Sequence, residues 1–388
     1  MKVKPAKRTE SVQEYYFSQK LAQIERMRRE GANIINLGIG SPDQPPSVNT
    51  IEALIADARK PTSHGYQSYT GTPALRKAFA GWYKKYFHVD LDPDNEVLPL
   101  MGSKEGIMHI TMAFVNQGDE VLVPDPGYPT YSSVTKLAGG IVRNYNLHEK
   151  TGWLPDIDEL EKSDPGKVKL MWINYPHMPT GTKGSMALFE RLVRFAEKYS
   201  ILLCNDNPYS FILNRDHISV LAVDGAMETA LELNSLSKSH NMAGWRIGML
   251  AGHREYIKSV LKVKSNMDSG MFFPMQAAAA EALNNHDSWY DAVNEVYTKR
   301  RRIVEEIMDA LNCRYDKKQS GLFLWGAIAD KIESCEEYVE NILQKAHVFI
   351  TPGFIFGKNG ERYIRISLCA TEEKLQEAKE RLVKYMNE

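Results

Sequence analysis

Helix-like and strand-like segments alternate through the middle of the chain, and this alternation narrows the possible folds more than any single motif. Amphipathic helices are predicted at 49–58, 72–86, 104–116 and 186–199, and apolar strands at 120–123, 167–174, 201–205, 231–234 and 246–251. Such a pattern predicts an α/β fold with a mostly parallel central sheet. Ligands of these sheets bind at the carboxyl ends of the strands.

The remaining sequence predicts a second, smaller α/β unit. Helices are predicted at 14–30, 289–311, 336–346 and 372–386, and strands at 321–325, 348–351 and 362–368. A chain of 388 residues is long enough for two packed units. We therefore expect a large domain over residues 46–290 and a small domain built from both termini, residues 1–45 and 291–388.

Composition and charge exclude several classes of partner. The formal net charge of -1 gives no basis for binding nucleic acid or an anionic membrane, and no apolar run is long enough to span a bilayer. The basic start of the chain has no apolar segment behind it, so a cytoplasmic location is expected. The four cysteines are too widely spaced for a zinc site, so we expect buried thiols and no metal.

One lysine lies among hydroxyl groups directly after a predicted strand. Lys238 follows Ser235 and Ser237, and Arg246 comes eight residues later. A solvated surface charge is the ordinary interpretation of such a lysine. The alternative is chemical, because a lysine amine forms a Schiff base with an aldehyde, while hydroxyls and an arginine suit a phosphate. The segment 235–248 resembles the cofactor-lysine segment of fold-type I pyridoxal-phosphate (PLP) enzymes, in the class I/II aminotransferase family.

Five further segments resemble this family in the same order along the chain. One of them, 201–209, is an apolar strand that ends in Asp206, with Tyr209 three residues later. Without that context, an aspartate at a strand end is as often a turn or cap residue. The resemblance implies that Asp206 lies against the pyridine nitrogen of PLP and keeps it protonated, so that the ring accepts electrons from the substrate's α carbon. It implies that Tyr209 donates to the ring's 3-oxygen, and that Lys238, Asp206 and Tyr209 are catalytic.

A phosphate site is expected where a helix begins in the segment 101–106. Free backbone N–H groups and the helix dipole favour an anion there, although Ser103 is explained equally well as a helix N-cap. The resemblance implies a phosphate site made of Ser103, the Lys104 backbone, Ser235, Ser237 and Arg246.

Two tyrosines in turn-rich segments resemble further cofactor contacts of the family. Tyr128 matches the aromatic residue that stacks on the PLP ring, although a tyrosine in such a loop is usually a packing residue. Tyr66 matches the tyrosine that reaches the phosphate from the neighbouring subunit. The resemblance therefore implies a homodimer with shared active sites.

An arginine interrupts the apolar strand predicted near the end of the chain. Burying the guanidinium of Arg365 requires a carboxylate partner, which belongs either to the protein, as an internal salt bridge, or to a ligand. The resemblance implies that Arg365 grips the α-carboxylate of the substrate in bidentate fashion and that the backbone of Gly40 contacts the same group.

Taken together, the resemblance implies ping-pong transamination between an L-amino acid and a 2-oxo acid through a Lys238 Schiff base. A PLP-dependent carbon-sulfur lyase that catalyses β-elimination is the first alternative, because the same fold serves several reactions. A non-catalytic PLP-binding protein is the second. The early part of the chain is similar to the aspartate and LL-diaminopimelate aminotransferase branch, but this similarity does not identify the donor or the acceptor.

One position departs from the family pattern. The segment 174–181 resembles the family signature, but Met178 stands where an asparagine normally donates a hydrogen bond to the 3-oxygen of PLP. A thioether cannot donate a hydrogen bond. The role is therefore not transferred to position 178, and whether His177 or a water replaces it is left open. We hypothesise that the missing donor leaves more negative charge on the 3-oxygen and raises the pKa of the Lys238 Schiff base.

The substitution Met178→Asn tests this hypothesis. Restoring the donor is expected to lower the midpoint of the pH titration of visible absorbance in the PLP-loaded protein. A low midpoint in the unsubstituted protein that does not change in the variant would contradict the hypothesis.

Overall fold

A computed structural model describes residues 3–388 of the chain. Its α-helices are α1 (Tyr16–Arg29), α2 (Val48–Ala58), α3 (Pro73–Phe87), α4 (Ser103–Phe114), α5 (Pro129–Ala138), α6 (Ile157–Lys162), α7 (Met186–Tyr199), α8 (Ala226–Thr229), α9 (Leu236–Ser239), α10 (Arg254–Lys264), α11 (Phe273–Leu283), α12 (Asp287–Ala310), α13 (Cys335–Ala346) and α14 (Glu372–Asn387). Its strands are β1 (Ile35–Asn36), β2 (Val97–Leu100), β3 (Glu120–Asp125), β4 (Ile141–Asn146), β5 (Val168–Ile173), β6 (Leu202–Asp206), β7 (Ala230–Ser235), β8 (Gly248–Gly252), β9 (Arg314–Tyr315), β10 (Phe323–Ala327), β11 (Val348–Phe349), β12 (Thr351–Pro352) and β13 (Tyr363–Ser367).

A seven-stranded sheet with the order β2-β8-β7-β6-β5-β3-β4 forms the centre of the larger unit. Strand β8 runs antiparallel to both of its neighbours, and the other pairs are parallel. Helices cover both faces, because α4, α5 and α10 contribute to one apolar cluster and α3, α7 and α11 to another. This arrangement confirms the prediction of an α/β fold with a mostly parallel central sheet.

The parallel strands bring chemically distinctive residues to one edge of the central sheet. Strand β3 ends at Asp125, β5 is followed by Asn174, β6 ends at Asp206 and β7 ends at Ser235. Since carboxyl ends of parallel strands meet at the same edge, these residues surround one region. The amide of Asn174 crosslinks that edge, donating to the carbonyl of Asp206 and accepting from the N–H of Met178 at 2.8 Å.

A four-stranded antiparallel sheet, β12-β13-β10-β9, lies in the C-terminal part of the chain with α12, α13 and α14. The N-terminal segment joins this unit, because β1 pairs in parallel with β11 and the N–H of Ser367 donates to the carbonyl of Leu37 at 2.8 Å. Phe17 and Ile24 of α1 belong to the same apolar cluster as the C-terminal helices. The predicted domain limits at 45/46 and 290/291 stay a prediction.

Several elements differ from the sequence-based expectation. The strand predicted at 348–351 is two short strands, β11 and β12, which join different sheets. Lys238 lies in the short helix α9 and not in a loop. Strand β2, helix α5, strand β4 and helices α10 and α11 were not predicted. Their patterns are weak, since β2 contains a proline in four residues and α11 is rich in alanine.

The four cysteines are buried free thiols, as expected. Among residues 3–388, no helix is long and apolar enough to cross a membrane.

Candidate active site

A cavity of about 580 Å³ lies at the carboxyl edge of the central sheet, between that sheet and residues of the smaller unit. Its walls include all the predicted site residues except Tyr66 and are completed by aromatic side chains from α1 and the C-terminal unit. The predicted residues in the walls are Gly40, Ser103, Lys104, Tyr128, Asp206, Tyr209, Ser235, Ser237, Lys238, Arg246 and Arg365. The fold therefore brings together predicted residues that are separated by up to 325 positions in the chain.

Lys238 presents its amine to the cavity from α9. The helix is capped by the Ser235 hydroxyl, which accepts from the N–H of Ser237 at 3.1 Å. The amine donates to the carbonyl of Gly40 at 2.5 Å. Burial lowers the pKa of Lys238, and the guanidinium groups of Arg365 and Arg246 act in the same direction. A lowered pKa increases the fraction of neutral amine, which is the nucleophilic form.

The loop that carries Gly40 is held in place from two sides. Asp43 forms a two-point ion pair with Arg300 of α12, with oxygen-nitrogen distances of 2.6 and 2.7 Å. A Cβ atom at Gly40 would lie 2.2 Å from the ring of Phe323, so only glycine lets the backbone approach the cavity here. The carbonyl that meets Lys238 is thus positioned by the C-terminal unit.

Asp206 is a buried carboxyl group in which one oxygen accepts a hydrogen bond and the other has no donor in the described part of the chain. Oδ2 accepts from the hydroxyl of Tyr131 at 3.0 Å. Oδ1 has no hydrogen-bond partner among the residues that the structure describes. Burial raises the pKa of Asp206 to about 7, although the hydrogen bond from Tyr131 opposes that rise. A buried acceptor without a donor is costly, so the site fits a ligand that offers an N–H at this position.

A concave anion site lies where α4 begins. Gly102 has φ +84°, and a Cβ atom there would lie 2.5 Å from Nη2 of Arg246, so the glycine allows the guanidinium to approach the helix N-terminus. Ser235 and Ser237 are linked by a 2.8 Å hydrogen bond between their hydroxyls. Free N–H groups, hydroxyls and one guanidinium are the donor set that a phosphate requires. The side chain of Lys104 lies 4.8 Å from the centre of the Tyr15 ring.

Arg365 lies in the middle of β13 with its side chain buried. Nη2 donates to the carbonyl of Gly38 at 2.7 Å, and Nη1 lies 3.2 Å from Sδ of Met178. The ring of Phe323 lies 3.8 Å from the guanidinium carbon. Burial lowers the pKa of Arg365 to about 10. Among residues 3–388, no carboxylate lies within ion-pair distance of Arg365 and its Nε has no partner, so the internal salt bridge considered above has no protein partner there.

The three predicted tyrosines occupy different environments. Tyr209 and Tyr128 both line the cavity, and Tyr128 meets Tyr131 edge to face with ring centres 5.6 Å apart. Burial raises the pKa of Tyr209, so its phenol keeps its proton and can donate. Tyr66 is 95% exposed and lies outside the cavity of its own chain.

Several wall residues were missed by sequence reasoning. Tyr131 lay within a segment that resembles the family, but its bond to Asp206 required the fold. No motif would have indicated Tyr15, just before α1, and Phe17, within it, or Phe323 and Phe356 from the C-terminal unit. His177, considered above as a substitute donor, binds Thr180 at 2.8 Å and does not line the cavity, whereas Met178 does.

The fold and the cavity together define a fold-type I PLP-dependent transferase, and comparison with known proteins gives the family. The model of the aminotransferase class I and II family matches residues 32–382, so the chain belongs to this family. It is a PLP-dependent transaminase. The comparisons give no support to the lyase alternative.

The curated relatives are similar over almost their whole length. An LL-diaminopimelate aminotransferase of Aquifex aeolicus is 40% identical over 93% of this chain and 95% of its own. One of Desulforudis audaxviator is 41% identical over 97% and 96%. Among solved structures, substrate-bound BacF of Bacillus subtilis has a TM-score of 0.94 at 32% identity, covering 99% of this chain and 98% of its own. A Thermus thermophilus aspartate aminotransferase mutant has a TM-score of 0.91 at 25% identity, covering 98% and 99%.

The residues present fit the PLP that this family uses. The buried Oδ1 of Asp206 lacks a donor, which the protonated ring nitrogen would supply. The glycine-lined site at the start of α4 suits the phosphate, and the amine of Lys238 faces the cavity for the aldehyde.

The pKa of Asp206 predicts the pH dependence of stability in the protein without PLP. The unfolded chain releases this proton near pH 4, but the folded chain keeps it until about pH 7. Between those values the folded state binds more protons, so this group's contribution to stability falls as pH rises and stays low above pH 7. Without PLP, Asp206→Asn should therefore be more stable than the wild type. The difference in the free energy of unfolding should grow from near zero at pH 4 to on the order of 2 to 4 kcal/mol above pH 7.

Thermal denaturation from pH 4.5 to 8.5 measures this difference. The control Asp90→Asn, whose side chain is 80% exposed, should show no such trend. An advantage of Asp206→Asn that is constant across this range would contradict the raised pKa.

Proposed function

We propose that the cavity binds the amino acid and the 2-oxo acid in turn, with Arg365 holding the α-carboxylate and Lys238 moving the proton. The observation that carries this proposal is the buried guanidinium of Arg365, which opens on the same cavity as the Lys238 amine and has no carboxylate partner in the described part of the chain. A buried arginine of this kind is stabilised when a ligand carboxylate forms a two-point contact with it.

The other residues have supporting roles in this proposal. PLP, when bound, supplies an aldehyde and an electron-accepting ring. Asp206 would accept from the ring N–H, Tyr209 would donate to the 3-oxygen and Tyr128 would cover the ring face. The phosphate would be held by Ser103, Ser235, Ser237, Arg246 and the Lys104 backbone, and the Gly40 backbone would contact the substrate carboxylate. The lowered pKa of Lys238 suits its use as a base at the α carbon once it is free.

LL-Diaminopimelate is the proposed amino donor. The proposal is supported by the printed activity of the relatives that are 40% and 41% identical over at least 93% of this chain. The acceptor is proposed to be a 2-oxo acid such as 2-oxoglutarate.

An absorbance scan of the PLP-loaded protein tests the proposed function. LL-Diaminopimelate should remove the visible band more completely than aspartate, alanine or cysteine at equal concentration, and 2-oxoglutarate should restore it. Release of pyruvate with ammonia or sulfide, without an oxo acid, would favour the lyase. A spectrum that no amino acid changes would favour a non-catalytic binding protein.

Substitution of Arg365 by lysine tests the carboxylate contact in the same assay. A lysine keeps the charge but cannot make the two-point contact. The concentration of amino acid that half-removes the band should rise about 10- to 100-fold, which corresponds to the loss of one charge-assisted hydrogen bond. The control Arg254→Lys, on the exposed side of α10, should not change it. An unchanged half-point for Arg365→Lys would contradict the assignment.

We also propose that the enzyme is a homodimer whose partner supplies Tyr66. Tyr66 belongs to an exposed apolar patch with Tyr69, Met267 and Phe272, which are 95, 44, 67 and 40% exposed. The two segments of the patch are packed together, because a Cβ atom at Gly270 would lie 2.7 Å from the carbonyl oxygens of Gln67 and Ser68. Contiguous exposed apolar side chains of this kind are typical of a protein interface.

Mixed dimers test whether the sites are shared. Lys238→Ala should be inactive and Tyr66→Ala should bind PLP weakly. A dimer that contains one copy of each has one complete site, formed by Lys238 of the Tyr66→Ala chain and Tyr66 of the Lys238→Ala chain. Refolding the two variants together should recover about a quarter of wild-type activity, because half of the dimers are mixed and each has one of two sites. Recovery no greater than the sum of the separate variants would contradict shared sites.

The cytoplasmic location stays a prediction from the sequence.

A further inference from the structure

A second carboxyl group is buried in the central sheet without a cation beside it. Glu232 lies in the middle of β7 with no exposed surface. No lysine, arginine or histidine of the described residues lies within ion-pair distance of it. Acidic side chains are almost never fully buried without a partner, so other neighbouring groups must stabilise Glu232.

The contacts of Glu232 are all hydrogen-bond donors. Oε1 accepts from the Tyr83 hydroxyl at 2.9 Å and from Nδ2 of Asn207 at 3.5 Å. Oε2 accepts from Nδ2 of Asn205 at 2.8 Å and from the N–H of Val220 at 3.1 Å. Four donors and two acceptor oxygens match an ionised carboxylate.

The orientation of these donors is determined by their other contacts. Oδ1 of Asn205 accepts from the N–H of Tyr175 at 3.4 Å, and Oδ1 of Asn207 accepts from the Ser210 hydroxyl at 2.5 Å. Both NH₂ groups therefore face Glu232, although Nδ2 of Asn207 also donates to the carbonyl of Ile218, at the shorter distance of 3.2 Å. Burial raises the pKa of Glu232, and the hydrogen bonds from Asn205, Tyr83 and the N–H of Val220 oppose that rise.

Two of the four donors flank the aspartate of the active site. Asn205 and Asn207 are the residues immediately before and after Asp206, and Asn205 lies opposite Glu232 in the β6–β7 register. Side chains alternate along a strand, so the neighbours of Asp206 project to the face opposite to its own carboxyl group. Glu232 binds both neighbours from that face, while Tyr131 holds the carboxyl group from the other.

We propose that Glu232 is a positioning residue, an ionised carboxylate that holds the two amides flanking Asp206 and thereby orients Asp206 toward the cofactor ring. This inference rests on the proposed role of Asp206. The contact from Asn205 to the N–H of Tyr175 extends the same network to the end of β5, where Met178 follows. One buried carboxyl group thus links the middle of β7 to the end of β6 and, through Asn205, to Tyr175 after β5.

The substitution Glu232→Gln tests the proposal, because it keeps the shape and removes the charge. One oxygen becomes an NH₂ group that faces a donor, so one contact is lost and one amide is displaced. The dissociation constant of PLP, measured by fluorescence titration of apoprotein, should rise about tenfold. The pH midpoint of visible absorbance should fall, since a buried negative charge that favours the protonated form is gone.

Tyr83→Phe is the matched control. It removes one donor to the same carboxylate and keeps the charge and both asparagine contacts. Its melting temperature should fall, but its PLP dissociation constant should stay within about twofold of wild type and its pH midpoint should not move. If Glu232→Gln loses stability and yet binds PLP and titrates as Tyr83→Phe does, Glu232 has a structural role alone and the proposal is wrong.

Two further variants separate the possible failures. If Glu232→Gln does not fold, Asn205→Ala, which removes one flanking contact, should still weaken PLP binding, and wild-type affinity in that variant would overturn the proposal. Asp206→Asn tests the role on which the inference rests. If Asp206→Asn weakens PLP binding and Glu232→Gln does not, the proposed function stands and this inference fails; if neither does, the role of Asp206 is itself wrong.

Discussion

The structure depends on burying, around one cavity, ionisable groups that lack a hydrogen-bond donor or an ion-pair partner. Asp206 keeps an oxygen without a donor, and Arg365 keeps a guanidinium without a carboxylate, among the residues described. Each arrangement is unfavourable in the free protein, since burial penalises the charged forms of Asp206 and Arg365 alike. The remainder of the fold must therefore keep these groups in place until ligands satisfy them. A ligand that supplies the missing partners would remove this desolvation penalty, and the free energy recovered would favour its binding.

Support for the site comes from both units of the chain. The central sheet supplies Asp206 and the serines at its carboxyl edge, whereas β13 supplies Arg365 and α12 supplies the arginine that anchors the Gly40 loop. Because β1 pairs with β11, the N-terminal loop is attached to the C-terminal unit. In the proposed assignment, different parts of the chain would hold the substrate carboxylate and the cofactor, so the relative position of the two would depend on how those parts pack.

Met178 contacts the guanidinium of Arg365 as well as lining the cavity. Its thioether lies 3.2 Å from Nη1 of Arg365, where an asparagine would offer a hydrogen-bonding amide to the same guanidinium. Sulfur is a weak acceptor, so the guanidinium keeps more of its hydrogen-bonding capacity for a ligand. The change at position 178 would therefore bear on the proposed carboxylate contact of Arg365 as well as on the hypothesised charge of the 3-oxygen.

The order and type of residues were enough to predict the α/β class, the mostly parallel sheet and the members of the cavity wall that belong to motifs. Lys238 and Asp206 were predictable because their segments resemble family motifs, and Arg365 was predictable also because a buried charge in an apolar run needs a partner. Weakly patterned elements such as β2 and α11 were not, because sheet pairing and burial, rather than local periodicity, stabilise them. Only the tertiary structure determines that Tyr131 and Phe323 line the cavity and that Glu232 binds the residues on either side of Asp206. Those contacts join residues distant in sequence, and no local pattern encodes which of them meet.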